Sequence, residues 1–366
     1  MTSKEYPFYL QATVILFGLV LTTYILFTLG DILVPFSFAI LFAILLNPLC
    51  TWLQRKLSKV FAVILTLLIA ILVLGSILFF LTSQIAQFGQ ELPTLKLKFE
   101  SIVDVLGQFI QQHFGLTIAK QSALIKQAMN SSPALIGQTL GSVIGSISVI
   151  VIIPVYVFLM LYYKTLIVNF IYEVFKEERS QRVSEILKET KSAIQTYIAG
   201  LLIEMIIVSS LNSVALMILG VKYAILLGFV GGMLNMLPYI GGIIAIALPV
   251  IIATITKDGY TTQLGIIVAY LVIQFIDNNI IFPRVVSIKV QINALVSIVA
   301  IFLGNALWGI SGMFLSIPFV AVLKIIFDRI DELKPWGKLF GDAIPTSSMG
   351  QVWGRRKKKP LIKKIK

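Results

Sequence analysis

The sequence predicts an all-α polytopic membrane protein of about eight membrane segments, with two re-entrant helical hairpins in an inverted helix-plus-hairpin repeat. Three observations predict it. Of 366 residues, 58% are hydrophobic and 13% charged, against about 25% charged in a typical soluble domain. Several apolar runs reach the ~20 residues a helix needs to cross a hydrocarbon core. Finally, two long apolar stretches, 223–256 and 293–327, are each broken in the middle by a polar, glycine-rich patch. Lipid cannot satisfy bare backbone groups, so a break at membrane depth persists only where protein or a water-filled cavity covers it.

Residues 1–82 hold three predicted transmembrane helices. The first, Phe8 to Leu29, follows a short polar head with no small-residue cleavage site after it, so it reads as a membrane helix and not a removed signal peptide. The second runs from Ile32 to Leu49, with Pro35 near its start, where proline is tolerated. The third runs from Val60 to Thr82. Residues 83–139 are polar, but Ile102, Val103, Leu106, Phe109 and Ile110 recur at helical intervals, which predicts amphipathic helices on or beside the membrane. A fourth helix covers 140–163, with a kink expected at Pro154. Residues 164–197 alternate in charge sign and read as a solvated amphipathic helix or pair of helices. The remainder, 198–330, is the predicted transport domain. It comprises a fifth helix (198–219), the broken stretch 223–256, a helix over 264–282 and the broken stretch 293–327. A basic tail, 331–366, completes the chain.

Orientation follows from Lys and Arg in short loops. Arg55, Lys56 and Lys59 follow the second helix; Lys164, Lys176, Arg179 and Arg182 follow the fourth; the tail carries Arg355, Arg356 and several lysines. All three sets fall on one side if the first four helices each cross once. That side is cytoplasmic, both termini lie inside and residues 83–139 face outward. Each broken stretch then either crosses once, giving eight spans, or enters and leaves on one face as a hairpin. As one helix, either stretch would far exceed a ~30 Å core, and each half has the length of a re-entrant arm. Hairpins place Arg284 and Lys289 inside and Lys257 outside; single spans do the reverse. In the hairpin arrangement, helix-plus-hairpin is repeated with inverted orientation, an architecture of secondary transporters.

Several functional classes are excluded. The net charge of +13 concentrates in the tail after Gly354, and a cluster beside a membrane domain fits either an anionic leaflet or a solubilising, topology-fixing tail; it does not predict nucleic-acid binding. The one cysteine, Cys50, permits no internal disulfide and reads as apolar packing at a helix end. The one histidine, His113, has no partner for a metal site. Neither a zinc-protease motif nor a phosphate-binding glycine loop is present, so no cofactor is expected. Gly309-Ile310-Ser311-Gly312 resembles the serine element of rhomboid intramembrane proteases, but such a serine needs a histidine base within hydrogen-bond reach, and His113 lies in the predicted outward region. The chain reads as a non-enzyme. A membrane scaffold for a partner protein is the remaining alternative from another class.

Candidate site residues are the polar groups inside the apolar segments. Ionisable residues there are costly and read as functional by default. Asp277 sits within Gln274-Phe275-Ile276-Asp277-Asn278-Asn279, an oxygen-rich patch suited to Na⁺, a proton or a polyhydroxylated solute. Its structural alternative is a helix-to-helix clamp. Glu204, in the fifth helix, faces either an aqueous cavity or another helix. Asn235, Pro238, Tyr239, Gly241 and Gly242 form the first tip; Gly304, Asn305, Gly309, Ser311 and Gly312 form the second. Proline stops a helix, glycine allows tight reversal, and the exposed helix ends present partial charges to a solute. Close packing of small residues is the bland reading of the same glycines. The site is expected between the two tips and Asp277-Asn278-Asn279.

At these residues the chain resembles the autoinducer-2 exporter family, also described as PerM-like permeases. The resemblance rests on Leu219-Gly220-Val221, on Leu234-Asn235-Met236-Leu237-Pro238-Tyr239-Ile240-Gly241-Gly242, and on Asp277-Asn278-Asn279 with Pro283. It continues through Leu307-Trp308-Gly309-Ile310-Ser311-Gly312-Met313 to Ile317-Pro318. In helix order it covers roughly residues 8–330. It implies a bacterial inner-membrane transporter of a small solute, with eight membrane segments and elevator-like movement of a hairpin-bearing domain. It also implies a homo-oligomer, a pentamer. Some members are linked to export of the signal autoinducer-2 and others to Na⁺/H⁺ antiport. The sequence departs from the family after Gly200. Leu201 stands where many members carry a polar residue, and Glu204 follows a turn later. A carboxylate suits a cation better than a neutral furanosyl diol.

Overall fold

The computed structural model describes residues 7–114, 147–175, 180–236, 241–257, 259–286 and 291–342, and these are helical throughout apart from short turns. Six helices are long and apolar enough to cross a membrane, or seven if one bent pair counts as a span. The segment missing from the predicted eight is 223–256, which forms two helices each short of the ~20 residues a span requires.

Helix α1 (Phe8–Thr28) has no buried residue, as suits a helix facing lipid or another chain on all sides. Helix α2 (Gly30–Leu53) contains Pro35 and Pro48 and buries one face. Helix α3 (Lys59–Phe114) is 56 residues long, about 84 Å. The part of it apolar enough to cross a membrane lies within Lys59–Gly89, and the helix runs on unbroken to Phe114, so the predicted amphipathic region begins as a continuation of the third helix. Residues 115–139 and the side chain of His113 lie outside the described residues. Helix α4 (Ile147–Tyr162) packs Val157 and Leu161 against Ala39, Ala43 and Cys50 of α2 and Val63 of α3. A bend of 64° falls where it meets α5 (Lys164–Val174), at Tyr163, and Pro154 lies inside α4. Lys164 donates to Asn47 Oδ1 of α2 at 2.9 Å, which ties this bend to the scaffold.

Helix α6 (Ser180–Ile218) fuses the predicted charged helix and the fifth membrane helix into one rod of 39 residues, about 58 Å long. It packs on α7 (Ala224–Asn235) through a seam of small residues. A Cβ on Gly228 would collide with Ser213, and one on Gly232 with Ser209, so the backbones touch as in other close membrane crossings. Helix α8 (Gly241–Thr256) lies back along α7. Near their junction Gly241 abuts the Leu234 carbonyl, and at their base Lys257 Nζ is 3.3 Å from the Cβ position of Gly220. The stretch is therefore a helical hairpin. Leu216, Leu227, Ala253 and Ile266, with Tyr270 among them, form the apolar core between it and its neighbours.

Helix α9 (Thr261–Ile276) continues through a π-helical turn, Asp277–Ile281, into a last turn, Phe282–Val285. Helix α10 (Ala294–Arg329) has 36 residues and as a straight rod would span about 54 Å. It is not straight. Trp308 and Gly309 leave helical geometry, Gly309 with φ 59° and ψ −143°, and Gly304 packs directly on Gly312. Both ends of α10 also meet the short helix α11 (Lys334–Phe340). Asn293 donates its backbone N–H to Phe340 O at 2.9 Å and its Nδ2 to Leu339 O at 2.6 Å, while Phe327 stacks edge-on against Phe340. Start and end of α10 thus lie side by side, and it too is a hairpin.

The bases of the two hairpins sit at opposite ends of α6. Arg182 of α6 pairs with Asp331 at 3.2 Å, and Glu185 and Glu189 pair with Arg329, all beside the base of α10. At the other end Leu219 touches Gly265 and runs straight into Gly220 at the base of the α7–α8 pair.

Candidate functional site

The buried carboxylates Glu204 and Asp277 converge on one amide. Asn235, the last residue of α7, donates Nδ2 hydrogens to Glu204 Oε1 at 3.2 Å and Asp277 Oδ2 at 2.8 Å. Glu204 is 3% exposed and Asp277 2%. The other oxygen of each, Glu204 Oε2 and Asp277 Oδ1, has no hydrogen-bond partner among the described residues. Three elements build this triad for local reasons. Helix α6 carries Glu204 on the face that packs on α7 and α9. Helix α7 ends at Asn235, just before the interruption that contains Pro238. Helix α9 widens into its π-turn at Asp277, a distortion often found at functional sites.

Two carboxylates this close are expensive in a low-dielectric interior, because burying an unpaired charge costs several kcal/mol. One amide can hydrogen-bond both but supplies no charge. What fits the arrangement chemically is a shared cation, either a proton on one carboxyl or a metal ion held by the two unpartnered oxygens, since hard monovalent and divalent ions prefer oxygen ligands. Among the described residues no group of three or more His, Cys, Asp or Glu side chains forms a metal cluster.

The remaining predicted site residues fall into separate places. Gln274 donates to Asn278 Oδ1 at 3.3 Å along the exposed side of α9, and Gln274 Oε1 is 3.3 Å from the Cβ position of Gly242. This amide pair therefore lies beside the start of α8, next to the first tip. Asn279 donates to the Phe275 carbonyl of its own helix at 2.8 Å and is exposed. Gly241 lies against α7, whereas Pro238 and Tyr239 lie outside the described residues. At the second tip Gly304 and Gly312 press together, Gly309 holds the reversal, Asn305 is exposed and Ser311 half-buried. This tip docks elsewhere: Trp308 donates its indole N–H to Leu26 O at 2.9 Å and stacks over Gly30, where α1 meets α2. Asp277 is thus joined to the first tip, while the second leans on the N-terminal helices.

Three polar groups that the sequence reading passed over are also buried here: Gln263 and Tyr270 of α9 and Asn212 of α6. The signal was available. Gln263, Tyr270 and Asp277 recur at seven-residue spacing in an apolar helix, which places them on one face.

The fold and site together define a class: a polytopic α-helical membrane protein with two helical hairpins and a pair of carboxylates buried at a helix break. The chain belongs to the AI-2E family of transporters, whose family description, AI-2E family transporter, matches residues 14–332. It is 27% identical over 331 residues to a putative transport protein of Haemophilus influenzae, covering 86% of this chain and 91% of that protein. It is 24% identical over 308 residues to the AI-2 transport protein TqsA of Escherichia coli, covering 82% and 86%. It is 25% identical over 215 residues to the putative permease PerM of Escherichia coli, covering 58% and 61%.

Proposed function

We propose that the chain is a cation-coupled secondary transporter of a small hydrophilic solute, with the coupling ion held by Glu204 and Asp277 across Asn235. The observation that carries this reading is the triad itself: two buried carboxylates, each with a free oxygen, linked by one amide donor at the end of a broken helix. The solute rests against the amide face of Gln274 and Asn278 beside Gly242, where two side-chain amides offer donors and acceptors to hydroxyl groups. An autoinducer-2-like, polyhydroxylated molecule suits that face, in line with the name of the relative TqsA. The two hairpins are re-entrant and open toward opposite faces of a bacterial inner membrane, with the termini inside. Support for this comes from the placement of their bases at opposite ends of α6. The hairpin-bearing domain moves elevator-fashion against α1–α5 in a homo-oligomer.

A second reading within the family, Na⁺/H⁺ antiport without an organic solute, draws on the same carboxylate pair. Proteoliposomes loaded with a pH-sensitive dye separate the two. Imposing a Na⁺ gradient on its own drives proton movement in an antiporter, whereas in a Na⁺-coupled carrier it leaves the internal pH unchanged and drives uptake of a radiolabelled solute. Asp277→Asn abolishes ion-driven flux in either case. Undiminished flux in that variant would remove the triad from the mechanism.

A further inference from the structure

Beyond the triad, α9 carries two more buried polar side chains on the face that holds Asp277. Gln263, Tyr270 and Asp277 are each two turns apart and are 7%, 4% and 2% exposed. Among the described residues Gln263 Oε1, the Tyr270 hydroxyl and Asp277 Oδ1 have no hydrogen-bond partner, and neither has Oδ1 of Asn212, which is 2% exposed on α6. Gly231 of α7 marks where two of these meet. From its Cβ position Asn212 Nδ2 is 3.1 Å away and the Tyr270 hydroxyl 3.5 Å. Gly231 lies one helical turn before Asn235. Helices α6, α7 and α9 thus contribute two stacked polar layers: Asn212, Gly231 and Tyr270 in one, and Glu204, Asn235 and Asp277 in the next. Gln263 stands a further two turns out, near the end of α9 that adjoins Lys257 and Tyr260. From Gln263 to Asp277 the column runs about 21 Å.

Leaving a buried polar atom unpaired is costly, and native proteins contain few such atoms. Three of them recur along one face of α9, the face that carries Asp277, and Tyr270 carries its unpaired hydroxyl into an otherwise apolar cluster. The column holds no formal charge before the triad. Its oxygens are amide and phenol groups, hard ligands that replace the hydration shell of a small metal cation. Amide oxygens do not relay protons, so the chemistry favours a metal ion over a proton. Ion conduction requires stations that bind weakly enough to release, and neutral oxygens meet that condition better than carboxylates.

We propose that Gln263, Asn212 and Tyr270 line a hydrated path by which a monovalent metal cation of sodium size reaches the Glu204–Asn235–Asp277 site from the face bearing Lys257 and Tyr260. The path gives the site a direction of ion access, and its role in coupling rests on the transport reading above.

The test uses thiol chemistry, so it does not depend on flux. Full-length chain carrying Cys50→Ala receives a single cysteine at Gln263, Asn212 or Tyr270, with Val63→Cys and Leu315→Cys as controls buried in separate apolar clusters. Reconstituted protein is exposed to Ag⁺, a monovalent cation that binds thiols, and the remaining thiols are counted with a fluorescent maleimide after denaturation. The column positions are expected to react at least about tenfold faster than the two controls, a difference the size of one net hydrogen bond. Equal rates overturn the path. In a second arm, Asp277→Cys reports arrival of Ag⁺ at the site. Adding Tyr270→Phe or Gln263→Leu is expected to slow that arrival about tenfold, because a polar station is lost; an unchanged rate overturns the path even if a variant of the first arm misfolds. If Ag⁺ follows the column while no ion-driven flux is found, the path stands and the coupling reading falls.

Discussion

Asn235 is the residue on which two buried charges depend, and its replacement separates what the triad does for the fold from what it does for transport. Asn235→Leu keeps the volume but leaves Glu204 Oε1 and Asp277 Oδ2 without their donor. The expected loss is about 1–3 kcal/mol, read as a lowered thermal midpoint in detergent. The carboxylates themselves should behave in the opposite way. Exchanging one of two carboxyls buried together for its amide relieves desolvation and like-charge repulsion, so Asp277→Asn and Glu204→Gln are expected to hold or raise the midpoint while ion-driven flux disappears. A helix-to-helix clamp, the structural alternative at Asp277, makes the contrary forecast: a lower midpoint with flux retained in the surviving protein. The two measurements on one variant decide between them.

Each hairpin depends on how its break and its base are built, and the two differ in how legible they were. The second break is a backbone event. Gly309 adopts φ 59° with ψ −143° and its Cβ position meets nothing within 4 Å, so Gly309→Ala adds strain without a clash. A residue forced into such a region costs of order 1–3 kcal/mol, and the variant should show faster hydrogen exchange over 304–312 with α1–α5 unchanged. The base of this hairpin is held by Asn293, which caps α10 through Val296 N–H at 2.9 Å and also donates to Leu339 O and Gly341 O. Asn293→Ala is expected to cost about 1–2 kcal/mol as a lost cap, with exchange rising in α11 first. Asp331 supports the same base. Its hydrogen bond to Lys334, then the charges of Lys334 and Arg182, hold its carboxyl below the usual carboxylate range. Its contribution is therefore present at neutral pH and is lost only as pH falls through that lowered range, and the protection of α11 amides relative to their intrinsic exchange rates should be flat from pH 8 to 5. Glycine, proline and asparagine inside apolar runs announced both breaks, because only those residues stop a helix cheaply. Glu204 and Asp277 were legible for the same reason, as ionisable groups in membrane segments. Their partner assignments were not. Which tip meets Asp277 depends on the crossing of α6 and α7 at Gly228 and Gly232, a tertiary contact with no period in the sequence. The unbroken length of α3 and of α6 was equally hidden, because a change from apolar to charged composition looks like a boundary although the backbone continues through it.

At the scale of the whole molecule, α6 is the axis that relates the two hairpins. Its charged end, at Arg182, Glu185 and Glu189, pairs with Asp331 and Arg329 at the base of the second. Its apolar end leads through Leu219 into Gly220 at the base of the first. A rod of about 58 Å is longer than the ~30 Å hydrocarbon core, so the two bases are separated by more than the thickness a solute must cross. Glu204 lies between them, about 22 Å from Leu219 and about 29 Å from Glu185. This geometry makes a forecast that single crossings of 223–256 and 293–327 do not share. With hairpins, Tyr260 and Glu332 face opposite sides; with single crossings both face the cytoplasm. In the Cys50→Ala background, Tyr260→Cys should react with a membrane-impermeant maleimide in right-side-out vesicles, and Glu332→Cys only in inverted ones. Tyr260 is 79% exposed and Glu332 is likewise exposed, so failure to label would reflect sidedness and not burial. Labelling of both from one side would end the inverted-hairpin architecture. It would also leave the triad, still buried among α6, α7 and α9, with a different face from which its ion arrives.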